Sequence, residues 1–267
     1  MNTERTRRAR LTAVLLLLMV ATSAACSSRN ASAAKSDELI GLFRLTPGTV
    51  KDNRVGGTWF RMLQPGGSPA RGPYMVNADS PADGGKVTLL RPGTSGGLRT
   101  QGYQSQSTPA FAANGDSTSD AITTPTKFFG VKFSISTNAV DPQTKAPVPP
   151  PSVKLVDGRL VADLSAWAAS WNRQNFNQGA PKPVPNTGAK APGQEKAEQV
   201  WDWVAGKYLD AAPAATTTGT DATGTYDPKT RAFVLQWTSH IQGGPFNGFT
   251  GLWHLEGTFV PGGRAPR

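Results

Sequence analysis

Short apolar runs punctuated by glycine and proline constrain this chain more than any other feature. Phe129, Val131, Phe133 and Ile135 alternate with Gly130, Lys132 and Ser134. Near the C-terminus Phe233, Leu235, Trp237 and Ile241 share one parity, as do Trp253, Leu255 and Phe259 beyond the turn-rich Gly243 to Gly248. Alternation at period two puts one set on the buried side of a strand. With 29 Gly and 22 Pro to turn the chain, and seven Trp and eleven Phe to fill a core, the expectation is a mainly β fold. Its form is expected to be a single antiparallel sandwich or barrel-like domain with one or two short inserted helices.

Further strands are expected at Ile40 to Leu45 and Thr58 to Leu63. Lys86 to Leu90 and Leu98 to Tyr103 suit a hairpin with a longer loop. Val153 to Val156 and Arg159 to Ala162 flank Asp157-Gly158, a strong tight-hairpin signal. Trp167 and Trp171, four apart after Asp163 or Ser165, predict a short capped helix. A second helix is predicted from Gln194 to Ala211, with Ala197, Val200, Trp201, Val204 and Tyr208 as its apolar stripe. It sits within a loop-helix-loop insertion near 178–223.

The first 25 residues have a different character. Arg5, Arg7, Arg8 and Arg10 precede the apolar run Leu11 to Ala21, and Ser23-Ala24-Ala25 leads into Cys26. That run is shorter than the roughly 20 residues a membrane-spanning helix needs, and a charged start with a small-residue end defines an export signal. Ala24-Ala25-Cys26 resembles the processing box of bacterial lipoproteins. The resemblance implies a signal peptide over 1–25, a diacylglycerol-modified Cys26 carrying palmitate-type chains, and a flexible tether over 26–39. A single folded domain then occupies 40–267. Arg7-Arg8 with Leu11 also fits a twin-arginine route. Two or more acyl chains suffice for stable anchoring, so the expected location is the extracytoplasmic face of the cell membrane.

The formal charge of +10 falls to +7 once the signal, with four arginines against Glu4, is removed. Such a surface suits anionic envelope polymers. No dense Lys/Arg cluster follows the signal, so no nucleic-acid partner is expected. Cys26 is the only cysteine, which leaves no intrachain disulfide and no cysteine-bound metal.

Two constellations are candidates for chemistry. Gln236, Thr238 and His240 alternate with the apolar set on one strand, and His254, Glu256 and Thr258 on its partner. If Ile241 lies opposite Gly251, Thr238 faces His254 and Gln236 faces Glu256. His240, His254 and Glu256 then become candidates for a metal or acid/base site, although no metal is assigned. The other constellation is Trp171, Asn172, Gln174, Asn175, Phe176 and Asn177, with Asn247 added, where amides beside aromatic rings suit a glycan. Phosphate-loop, nucleophile-elbow and zinc-helix signatures are missing, and no cofactor is expected.

Trp237 to Phe259, Thr58 to Gly67 and Gly97 to Thr100 resemble segments of a group of uncharacterised exported bacterial proteins. That group carries no activity across. The expectation is therefore a lipid-anchored envelope surface protein with a non-enzymatic ligand- or partner-binding domain. The alternatives are an envelope hydrolase or metal-dependent enzyme using His240, His254 and Glu256, and a purely structural surface domain.

Overall fold

The computed structural model describes residues 36–185, 190–196, 199–210 and 219–262. The expected signal, Cys26 and the expected tether through Lys35 lie outside the described residues, as do Ala197, Glu198 and Ala211 of the predicted second helix. The first strands are β1 (Ser36–Glu38), β2 (Gly41–Leu45), β3 (Thr49–Lys51), β4 (Arg54–Gly56), β5 (Trp59–Ser68), β6 (Gly72–Tyr74) and β7 (Thr88–Leu89). Then come β8 (Gly97–Arg99), β9 (Thr126–Phe128), β10 (Val131–Thr137), β11 (Ser152–Val156), β12 (Arg159–Asp163), β13 (Trp167–Trp171) and β14 (Gln174–Asn177). The last are β15 (Gln199–Asp202), β16 (Lys207–Asp210), β17 (Ala222–Tyr226), β18 (Ala232–His240) and β19 (Thr250–Pro261). The fold is mainly β, as expected.

A large antiparallel sheet curls into a half-barrel in the order β1-β11-β12-β17-β18-β19-β2-β8. β19 is its spine. One edge of β19 pairs with β18 from Thr250 to Thr258, while the other pairs with β5 over its first half and β2 over its second. A four-stranded sheet, β14-β13-β10-β9, supplies the opposing side chains. Trp167 from that sheet meets Trp237 and Trp253 of the large one edge-on, at 5.2 and 5.6 Å between ring centroids. All three indoles are fully buried, in the offset geometry that aromatic quadrupoles favour.

Two expected helices are strands. Trp167 and Trp171 lie on β13, paired with β10 on one side and β14 on the other. A spacing of four is even, so it satisfies strand period as well as helix period. The segment from Gln194 onward contains the hairpin β15–β16, turned by Trp203–Gly206. Asp202 accepts the backbone N–H groups of Val204 and Ala205 at 2.8 and 2.9 Å and so fastens that turn. Among the described residues, helical turns occur only as the short 3-10 segments Asp83–Gly85 and Gly244–Phe246.

Two other expectations change. Lys86 to Leu90 and Leu98 to Tyr103 do not pair with each other, because β7 joins β5 and β8 joins β2. The last residues of the tether expected over 26–39 belong to the sheet, since Ser36–Glu38 pairs with β11 and Leu39 N donates to Val153 O. The Asp157-Gly158 hairpin forms, with both residues at positive φ as its turn requires.

Side-chain amides complete three terminal strands. Gln104 accepts from Arg99 N and donates to Gly97 O on β8, both at 2.8 Å. Asn77 donates to Lys127 O on β9 and accepts from Phe129 N just beyond it. Gln143 accepts from Asn177 N on β14 at 3.0 Å. A primary amide carries both a donor and an acceptor, so it can stand in for the missing strand and block edge-to-edge pairing.

Candidate binding site

The final hairpin forms with its faces as read and its register displaced. Gln236 lies opposite His254, Val234 opposite Glu256 and His240 opposite Thr250. The offset is even, so side chains keep their face but change partners. His254 and His240 are thus separated by four positions along the ladder, about 13 Å at strand rise. His254 stacks on Trp59 at 4.6 Å, its Nδ1 lies 3.2 Å from Gln236 Oε1, and its Nε2 lies 3.7 Å from Glu256 Oε2. Burial lowers its pKa, against the pull of Glu256. The site that needed both histidines beside Glu256 is not assembled. No group of three metal-ligating side chains converges among the described residues.

Gln174, Asn175 and Asn177 among the amide candidates turn inward. Asn175 Oδ1 accepts from Ser170 Oγ and Gln106 Nε2. Gln174 is buried, and its Nε2 reaches Asn172 O only weakly, at 3.4 Å. Asn172 occupies the β13–β14 turn at positive φ with Arg173. Asn247 spends its Oδ1 on Gly243 N. Asn175 and Asn177 thus serve the fold itself, whereas Gln174 Oε1 is buried without a hydrogen-bond partner.

Trp171 and Phe176 of the same segment do something else. With Phe60, Met62, Phe128, Phe133, Phe246 and Trp253 they line a cavity of about 40 Å³ between the sheets. Gln178, the one polar side chain in its wall, has its amide occupied: Trp253 Nε1 donates to Oε1, and Nε2 donates to Asn177 O. Gly251 makes this fit possible, because a Cβ there would collide with Gln178 Oε1. Both polar atoms of the Gln178 side chain are thus engaged by the fold.

The 3-10 turn Gly244–Phe246 covers the cavity. Phe246 packs against Trp171 at 5.2 Å and Phe128 at 5.8 Å. Gly243, Gly244 and Gly248 take positive φ at either end of this turn, where a larger residue would be strained. Phe129, two-fifths exposed, sits 6.1 Å from Phe246 at the rim.

Beside the cavity lies a buried polar cluster. Asp141 Oδ1 accepts from Gln143 N, Thr144 N, Thr144 Oγ1 and Asn177 Nδ2. Lys182 Nζ donates to Asn177 Oδ1 at 2.6 Å and to Asn177 O at 2.9 Å. Asn177 therefore bridges an acid and a base that form no direct ion pair. Burial pushes the Asp141 carboxyl up, against its hydrogen bonds from Thr144 and the charge of Lys182. Lys182 keeps some surface as a residue, but its ammonium is enclosed. Burial pulls that group down to about 7, partly offset by Asp141. His240 is lowered as well, by burial and then by Lys182.

Asp141, Gln143 and Lys182 were not singled out in the sequence. Lys182 stands between two prolines in a loop-like stretch, and nothing local marks it as buried. No protein-family model matches this chain, and no curated protein or solved structure matches it either.

Proposed function

We propose that this chain is a lipid-anchored protein of the cell-envelope surface whose folded part is a non-enzymatic binding domain. The group it takes is apolar and uncharged, such as the end of a hydrocarbon or a small ring. The observation that carries this reading is the aromatic cavity, whose only polar wall side chain already has both amide atoms engaged by the fold. Pockets that bind small molecules are mostly apolar and lie between packed elements. At about 40 Å³, the space is about a quarter of a 150 Å³ cavity that admits benzene. It fits a chain end as it stands, and a ring once Phe246 moves aside.

Benzene added to the folded protein is expected to shift the indole N–H resonances of Trp171 and Trp253 saturably. Phe246→Ala should bind it more tightly by enlarging the space, and Ala169→Phe should abolish binding by filling it. Unchanged resonances up to benzene's solubility in every variant would sink the binding reading. Anchoring is a separate matter. Labelled palmitate is expected in the wild-type protein and not in Cys26→Ala, and label retained by that variant would contradict it.

A further inference from the structure

We infer that the ring taken into the aromatic cavity carries one hydrogen-bond donor, a phenolic O–H or an indole-type N–H, and that Gln174 Oε1 accepts it. The inference rests on the binding reading above and names the ligand class of the same site: an apolar body with a single donor at its edge.

Gln174 stands on the lining face of β14. In the β13–β14 ladder it lies directly opposite Trp171, while Phe176, two residues on, lies opposite Ala169. Residues that face each other or stand two apart share a side of the sheet. Gln174 therefore points the same way as Trp171, Phe176 and Ala169, all of which line the cavity. It is 5 % exposed. Nε2 faces Asn172 O at 3.4 Å, which sets which way round the amide sits. A Cβ on Gly244 would stand 2.6 Å from Oε1 and 3.3 Å from the Phe176 ring. The oxygen thus lies beneath the cover, beside Phe176.

The donors around it are spent elsewhere. Gly243 N donates to Asn247 Oδ1, Gly244 N donates to Asp202 Oδ2, and Pro245 has no N–H. Trp171 Nε1 donates to Phe128 O at 2.7 Å. Oε1 is left buried and unpartnered, a state that costs free energy until a donor arrives. An amide oxygen only accepts, so what it requires of a ligand is an N–H or an O–H. Ser239 Oγ is also buried without a partner, on β18 opposite Gly251, but a hydroxyl donates as well as accepts and so selects neither. A ring that enters as Phe246 moves aside rests against Trp171 and Phe128, where the Phe246 ring now packs. A hydroxyl on its Gln174 side then pairs the idle acceptor, which benzene leaves as it is. In a cavity with no acceptor, the same hydroxyl would give up its hydration without a replacement bond.

The test compares phenol with toluene, a ring of nearly the same size without the donor, on the whole folded domain at neutral pH, with affinity read from the Trp171 indole resonance. Wild type is expected to bind phenol at least as tightly as toluene. Gln174→Met, which keeps the bulk and removes the acceptor, should bind phenol about tenfold more weakly and toluene within about twofold of wild type. In wild type, phenol should move the side-chain amide nitrogen of Gln174 further downfield than toluene does, a reading that holds even if the variant does not fold. A phenol-to-toluene ratio unchanged in Gln174→Met would overturn the assignment while leaving the cavity a binding site. Loss of that ratio in Ser239→Ala instead, or equal shifts of the Gln174 amide with both ligands, would also overturn it. Failure of benzene, toluene and phenol alike to bind would remove the binding reading, and this inference with it.

Discussion

Lys182 also sets a sign for stability. Its ammonium titrates near 7 in the folded chain and at the ordinary 10.5 when unfolded. Between those values the unfolded state binds more protons, so stability rises with pH. Below 7 both states are protonated and the burial penalty is felt in full. Wild type is expected to gain about 2 kcal/mol or more from pH 7 to 10, after discounting for the solvent its side chain retains. Lys182→Met should lose that rise, as urea unfolding at pH 7, 8.5 and 10 would reveal. A parallel profile in the two proteins would show that the ammonium is solvated. The same residue shows why part of the site was illegible. A lysine between two prolines reads as a loop charge, and only side chains from β14, the Asp141 loop and the end of β18 enclose it.

At the scale of elements, strand faces were legible and partners were not. Period two assigned Trp237, Trp253 and Leu255 to the core, and they are buried there. It could not distinguish Gln236 opposite Glu256 from Gln236 opposite His254, since an even displacement leaves every face unchanged. Spacing by four failed for the same arithmetic reason at Trp167 and Trp171, and Gly206 interrupts the supposed helix at the turn of a hairpin. The amides on β8, β9 and β14 belong to this scale too. Gln104→Leu strands Arg99 N and Gly97 O at the sheet edge, and is expected to cost about 1 to 3 kcal/mol. It should also promote self-association through the exposed strand. Denaturant midpoints and light scattering check both effects, and a variant as stable and monomeric as wild type would show that water replaces the amide without loss.

Over the whole molecule, the half-barrel and the four-stranded sheet meet on aromatic rings, and the cavity is the place where those rings do not quite fill the space. Its lining comes from β5, β9, β10, β13, β14 and β19 and from the turn bearing Phe246. Residues as distant as Phe60 and Trp253 touch within it, at 4.4 Å between ring centroids. No stretch of the chain contains enough of the lining to announce it. The two histidines illustrate the converse: a shared face looked like a shared site until the ladder spaced them apart.

The sequence by itself determined the β character of the chain, the buried parity of its main strands and the residues from which export and acylation are inferred. Those depend on local periodicity and local composition, which any short window contains. Tertiary structure alone decided the register of the final hairpin, the aromatic cavity and the enclosure of Lys182 beside Asn177. Each arises from contacts between residues far apart in the chain, and their geometry is set by how two sheets pack rather than by what any one strand prefers.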